Sequence, residues 1–244
     1  MQKVDKMTVP DNISDRSIGE IVAEDYRTAQ VFENHGIDYC CGGNVTLQEG
    51  CREKGIDPAI IAEEIEAVKK DHFDRSQDYA SWDLSFLIDY IINVHHTYIK
   101  ENTGKITGYT RKIASVHGAH HPEVIEIASI FDTIAVDLMD HLKTEEEEFF
   151  PALKRIEAAG KIGTTPSLDD KEKVRNSLEN LVQEHEVVGD AVHKIRHLAR
   201  GYAIPDDVCN TFTVTYRKLK EFEDDLHKHV HLENNILFLK AARL

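Results

Sequence analysis

His141-Leu142-Lys143-Thr144-Glu145 and His229-Val230-His231-Leu232-Glu233 are the two stretches that decide the fold. Each sets a His and a Glu at i, i+4, on one face of an α-helix about one turn apart. The first is followed by Phe149-Phe150 and the second by Leu237-Phe238, at equal distances from the Glu. Each also has a histidine upstream at nearly the same interval: His96 lies 45 residues before His141, and His185 lies 44 before His229. His95 fits the first interval almost as well, so spacing leaves His95 and His96 open. The pattern is a duplicated helical hairpin in which one helix offers a His and the other a His plus a Glu. Four histidines and two carboxylates facing one core form the ligand set of a carboxylate-bridged dinuclear metal centre in a four-helix bundle.

A single H-x-x-x-E carries little weight in a chain with 14 His and 44 acidic residues. Lone charged pairs on helices are mostly solvated. Duplication and the matched apolar pairs alter that, because they turn both motifs inward. A buried carboxylate without a partner costs several kcal/mol. Beside imidazoles the two become tolerable when cations sit between them.

The 244 residues suffice for one large or two small domains. A net charge of −15 argues against nonspecific nucleic-acid binding and gives no basic face for a membrane. No apolar run reaches transmembrane length. Met1 to Pro10 has no hydrophobic signal core, and four Cys do not make a disulfide scaffold. The expected compartment is a reducing cytoplasm. Charged residues at helical spacing and few alternating runs predict an all-α protein.

Residues 1–16 read as a tail. A helix is expected from Ser17 through Phe32, with Ile18, Ile21, Val22, Tyr26 and Ala29 as its stripe and Gly36 as its stop. After a Gly-Gly-Asn turn, short helices follow from Thr46 and from Asp57-Pro58, the latter carrying Ile60, Ile61, Ile65 and Val68. This gives a small helical domain over 1–73, a polar linker over 74–82 and an up-down four-helix bundle over 83–244. The bundle helices are expected to break near Gly118, Gly160 and Gly201.

Imidazole and carboxylate together suit Fe, Mn or Zn. Glu145 and Glu233 as bridges favour two Fe ions, since metals a few Å apart need shared anions to offset repulsion. An oxide or hydroxide is the expected further bridge. The set resembles that of hemerythrin-type oxygen carriers, which use five His with H-x-x-x-H on the third helix. Here His185 is followed at i+4 by Gly189, which cannot ligate, so an open position beside Gly189 for NO or O2 is expected. His117, His120 and His121 fall at a helix–helix turn and read as capping. Glu146 to Glu148 read as a solvated face, His227 and His231 as surface groups or neighbours of the site, and Cys209 as packing. Glu184, beside His185, is a candidate for orienting a ligand or relaying protons.

Cys40-Cys41 sit in the turn Asp38-Tyr39-Cys40-Cys41-Gly42-Gly43-Asn44. One buried and one incidental Cys is the plain reading. A disulfide between adjacent cysteines is strained. The functional reading is an exposed thiol pair that exchanges disulfides, accepts a nitrosyl group or holds a soft metal, activated by the helix N-terminus near Thr46, with Cys51 able to resolve a disulfide.

The Asp38–Gly43 string, the two H-x-x-x-E motifs, and His229 to Phe238 in the form H-x-x-L-E-N-N-x-L-F resemble the repair-of-iron-centres family. Those are hemerythrin-like di-iron proteins implicated in restoring iron–sulfur clusters after nitrosative and oxidative damage. The likeness runs from about Ile18 to Phe238. It implies a small N-terminal domain joined to a hemerythrin-like bundle, and ligation by His96, His141, Glu145, His185, His229 and Glu233. It further implies a cytoplasmic protein that donates iron to, or clears NO from, damaged iron–sulfur proteins or a cluster scaffold, with Cys40 and Cys41 in the chemistry. A homodimer is the other partner state considered. An O2- or NO-binding sensor and an NO-reducing redox enzyme are the competing functions.

Overall fold

The computed structural model describes residues 12–70 and 78–244. The described residues are helical apart from turns and one isolated β-bridge between Ser17 and Thr46. The chain divides into two compact units with the boundary between Ser81 and Trp82. The first part of the sequence-derived linker, 74–77, lies outside the described residues, as does most of the expected tail.

The first unit contains α1 (Ile18–Glu24), α2 (Ala29–Asn34), α3 (Leu47–Lys54) and α4 (Pro58–Lys70). The single helix expected from Ser17 to Phe32 is broken at Asp25, and this corrects the sequence reading. Asp25 is extended at φ −148°, and its buried carboxylate accepts hydrogen bonds from the Arg27 backbone N–H and guanidinium. Asp competes with helix in this way by bonding its own neighbourhood. Capping boxes start α1 at Ser17/Glu20 and α3 at Thr46/Glu49. Gly36 stops α2 at φ 64°, a conformation that costs Gly nothing. Ile61 and Ile65 are buried, whereas Ile60 is half exposed and lies off the stripe assigned to it.

The second unit is a bundle of four long arms. The first comprises α5 (Leu84–Ile91), a π-helical turn (Ile92–His96) and α6 (Thr97–His117). The second comprises α7 (Glu123–Thr144), a π turn (Glu145–Phe149) and α8 (Phe150–Lys161). The third is α9 (Leu168–Leu198), helical throughout. The fourth comprises α10 (Asn210–Leu232), a π turn (Glu233–Leu237) and α11 (Phe238–Ala241). Neighbouring arms pack around a closed ring, with α6 on α7 and α10, and α9 on α7 and α10. Glu157 of the second arm caps the first, accepting from the Leu84 and Ser85 backbone N–H groups at 2.9 and 3.1 Å. The core is aliphatic and aromatic: Leu87, Ile91, Ile106, Phe131, Phe149, Phe150, Phe222 and Leu237 are almost wholly enclosed.

Three of the four arms carry a π turn at the level of the charged core. One ends on His96, one begins at Glu145, and one begins at Glu233. A π turn adds a residue to the helical repeat and re-aims the side chains around it, which is why such turns gather at functional sites. Pro151 follows the second one, but the fourth arm makes the same turn with Leu239 at the equivalent place. Proline is therefore not what creates it.

Candidate metal centre

His96, His141, Glu145, His185, His229 and Glu233 converge in the bundle core. All six are at most 5% exposed. Their ligand atoms fall into two overlapping groups, each within 4.8 Å: His96, Glu145, His229 and Glu233, and His141, Glu145, His185 and Glu233. Both groups share both carboxylates. Along the helices, His141 Nε2 lies 3.4 Å from Glu145 Oε2, and His229 Nε2 lies 3.0 Å from Glu233 Oε2. Across the bundle, His96 Nε2 lies 3.4 Å from Glu145, and His185 Nε2 lies 3.2 Å from Glu233.

The duplication in the sequence is a duplication in space. Phe150, five residues after Glu145, stacks on His96 with ring centroids 5.6 Å apart. Phe238, five residues after Glu233, stacks on His185 at 5.8 Å with the rings nearly parallel. The second member of each apolar pair thus forms a wall behind one of the two lone histidines.

Three of the four imidazoles are oriented through Nδ1. His96 donates to Glu146 at 2.7 Å, His141 to Glu184 at 2.7 Å, and His185 to Asn234 Oδ1 at 2.9 Å. A ring whose Nδ1 carries the proton turns an Nε2 lone pair to the core. Lys100 holds Glu146 in turn, at 2.6 Å. Glu146 was expected on a solvated face and is instead a positioning residue. Its i+1 relation to Glu145 hides it from a pattern based on helical faces, and only its contact with the first arm reveals it. Glu147 and Glu148 are exposed as expected.

His95, the alternative to His96, is also buried, but its Nδ1 pairs with Asp225 at 2.9 Å and it belongs to neither group. His227 and His231 are buried as well, not on the surface; His231 Nδ1 contacts Asn235 at 3.1 Å. Gly189 is buried on α9 without a side chain to offer. His117 and His121 lie apart from the centre, touching Cys209 and Asp207 at 3.2 Å. Cys209 is exposed rather than packed in the core.

Inside the centre, His96 Nε2, His229 Nε2 and all four oxygens of Glu145 and Glu233 have no hydrogen-bond partner among the described residues. Buried polar atoms are almost always satisfied. Six converging buried nitrogen and oxygen atoms without hydrogen-bond partners are satisfied by a cation, so the donor set fits one. Electrostatics point the same way. Burial opposes the charged form of His96, but the close negative carboxylates of Glu145 and Glu233, 3.4 and 3.8 Å from its Nε2, prevail and push its pKa up to about 10. His185 is likewise raised, to about 9, against its burial and by Glu233 first. Burial opposes ionisation of Glu233 too, yet the surrounding histidines, His229 foremost, hold it well below the ordinary carboxylate range. The pocket demands positive charge.

Cys40 and Cys41 lie in the other unit. Cys40 is buried and Cys41 partly so, with sulfurs 3.9 Å apart. The Asp38 carboxylate accepts from both backbone N–H groups, at 2.8 and 3.1 Å, and lies 3.1 Å from the Cys40 sulfur. The Cys41 hydrogen bond, burial and the nearby Asp38 charge all raise the Cys40 pKa well above its usual value. The expected exposed, activated pair is thus corrected at Cys40: enclosed, beside a carboxylate, and held as a thiol.

Fold and centre together define a four-helix-bundle cation-binding protein with a paired His/Glu site. The chain belongs to the hemerythrin HHE cation-binding domain family, whose model matches residues 87–241. A second model, ScdA_N, described as a domain of unknown function, matches residues 14–69. Among similar proteins, the iron-sulfur cluster repair protein ScdA of Staphylococcus haemolyticus is 29% identical over 225 residues, covering 92% of this chain and 97% of that protein. ScdA of Staphylococcus epidermidis is 29% identical over 230 residues, with the same coverage. The iron-sulfur cluster repair protein YtfE of Yersinia pestis is 27% identical over 231 residues, covering 93% of this chain and 97% of that one. No described helix is long and apolar enough to cross a membrane.

Proposed function

We propose that this protein holds two irons at His96, His141, Glu145, His185, His229 and Glu233, and repairs iron–sulfur clusters damaged by nitrosative or oxidative stress. One observation carries the reading: two four-residue donor groups share both of their carboxylates. Sharing suits a pair of ions, because each bridging carboxylate offsets the repulsion between two positive charges. Nitrogen and oxygen donors without thiolate suit iron, manganese or zinc. The names of the similar proteins favour iron and a cluster as the target.

Iron bound there supplies redox chemistry and a coordination position for a small molecule such as NO or O2. The chain's own groups do the rest. Glu146, Glu184 and Asn234 fix three ring orientations. Phe150 and Phe238 back the His96 and His185 rings with apolar surface. Glu184 is half exposed and, with Asp137, Asp140 and His141, lines a cavity of about 410 Å³ between α7 and α9. An acidic mouth against a ligand ring suits passage of a cation, which is what iron donation needs. The cytoplasm, a damaged cluster protein or scaffold as partner, and participation of Cys40 and Cys41 belong to the same reading.

The test is a repair assay on the full chain. A cluster enzyme inactivated by NO should regain activity when incubated with iron-loaded protein, and the iron lost by this protein should match the iron gained by the target. Recovery equal to that given by free Fe(II) would reject the reading.

A further inference from the structure

His193, Glu223 and His227 form another convergent group, on α9 and α10. One donor atom from each lies within 4.8 Å of the others. Glu223 is 0% and His227 5% exposed, while His193 is half-buried. Glu223 and His227 are i, i+4 neighbours, with His227 Nε2 3.8 Å from Glu223 Oε1. The His193 ring meets the His227 ring edge-on at 5.4 Å. His193 follows His185 by eight residues, or about 12 Å along the helix axis. The group is therefore separate from the six-residue centre.

Glu223 is the informative member. Arg196 Nε donates to Oε2 at 3.0 Å. Oε1 lies within ion-pair reach of the same guanidinium but has no hydrogen-bond donor among the described residues. A fully buried carboxylate oxygen without a well-formed hydrogen bond is costly, and this one faces the His227 imidazole at 3.8 Å. Two His and one Glu are a three-residue donor set for a borderline divalent ion, and they leave further positions to solvent.

We propose that His193, Glu223 and His227 bind a divalent transition-metal ion of the Zn(II) or Fe(II) class, at a mononuclear site additional to the six-residue centre. Arg196 supplies the positive charge beside Glu223 when no ion is bound. Its side chain is 34% exposed and can turn toward solvent as the ion enters. One carboxylate shared with a guanidinium compensates a divalent ion only in part. The site is accordingly weaker and more exchangeable than the six-residue centre, which offers two carboxylates.

The probe is Zn(II), equilibrated with the full chain. Metal content of the parent should exceed that of His193→Ala by an extra ion per chain, while His185→Ala keeps that ion. Crystals of the parent measured at the zinc absorption edge should place an anomalous peak among His193, Glu223 and His227. Equal zinc content in the parent and His193→Ala, with no peak there, overturns the assignment. The crystallographic arm needs no variant to fold, and His193→Asn repeats the comparison with less change in volume. Because His193 is outside the six-residue centre, a failure there changes the His185→Ala comparison and not this one.

Discussion

His141 and His185 face each other across the bundle with their Nε2 atoms 3.0 Å apart. Each ring donates its Nδ1 proton elsewhere, to Glu184 and to Asn234. The facing atoms are therefore both lone pairs unless one ring is doubly protonated. A bound cation relieves that contact, and in its absence a proton must. Chelated protein is accordingly expected to hold His96 and His185 charged, with pKa values near 10 and 9 against an ordinary 6.5. A raised folded-state pKa gives stability that is full below about 6.5 and is lost as pH climbs through the folded value. Metal-free protein should melt at progressively lower temperature from pH 7 to 10, and loaded protein should not share that trend. Calorimetry on both forms checks this. Loading itself should stabilise by about 2.7 kcal/mol at an ion concentration 100-fold above Kd.

Glu145 and Glu233 are shared by both donor groups, whereas Glu146 touches the centre only through His96. The expected losses differ accordingly. Iron-replete protein should carry about two Fe per chain, as the bundle donor set implies. Glu146→Gln should keep the spectrum of a coupled pair while weakening affinity by about 10–100-fold, the usual cost of removing a group that orients a ligand. Glu145→Gln or Glu233→Gln should lose the coupling. Metal analysis with magnetic susceptibility separates the outcomes. A Glu145→Gln protein with unchanged coupling would show that the carboxylate does not bridge.

The pattern of the bundle was readable because its two hairpins repeat one arrangement, down to Phe150 on His96 and Phe238 on His185. Periodicity alone could not choose between His95 and His96, since a π turn at Ile92–His96 shifts the helical register where the choice is made. Glu146 has the sequence signature of a solvated face because its partners, His96 and Lys100, come from another arm. Helical faces leave His227 and His231 open between the surface and the neighbourhood of the site, because burial there depends on contacts with other helices, such as His227 against His193 of α9. The Cys40 environment is not legible from sequence because Asp38, in space a cap on both cysteine N–H groups, has in sequence the look of an ordinary turn residue.

Glu157 ties the second arm to the first turn of the bundle. It accepts from two orphan N–H groups at the start of α5 and from the Ser85 hydroxyl. Glu157→Ala should destabilise the bundle by about 1–2 kcal/mol, the range for loss of a helix cap. Burial opposes its ionisation, but these hydrogen bonds and Lys161 hold its pKa below the ordinary 4.5. A depressed pKa gives stability that is present above 4.5 and lost as pH falls through the folded value. Denaturant melts of the parent and Glu157→Ala should therefore differ at pH 7 and converge in acid.

Cys209 and Cys40 should sort by reactivity. The exposed Cys209 thiol lies 3.2 Å from His117 Nε2 and at the N-terminus of α10, and the His117 hydrogen bond, with backbone N–H groups behind it, brings its pKa down to about 7. Alkylation by iodoacetamide, followed by peptide mass spectrometry, should be half-maximal near pH 7 at Cys209. His117→Ala should move that midpoint upward. A Cys209 profile centred on the ordinary thiol range in the parent would mean that the imidazole contact does not persist in solution.

Cys40 is the harder case, because its surroundings oppose the thiolate that exchange or metal transfer requires. Asp38 is both the cap of the turn and a negative charge 3.1 Å from the sulfur. Yet Asp38, Cys40 and Cys41 offer donor atoms within 4.8 Å of one another, and a cation at that point would reverse the preference by stabilising the thiolates. Cys40 should therefore stay unreactive in metal-free protein at neutral pH. Asp38→Asn should raise its alkylation rate at a given pH while keeping the turn, since the amide oxygen still accepts from the two N–H groups but carries no charge. The Cys40→Ser/Cys41→Ser variant should retain the iron content and spectrum of the bundle and lose activity in the cluster-repair assay. If that double variant repairs as well as the parent, the cysteines serve only to pack the turn, and the six-residue centre acts without them.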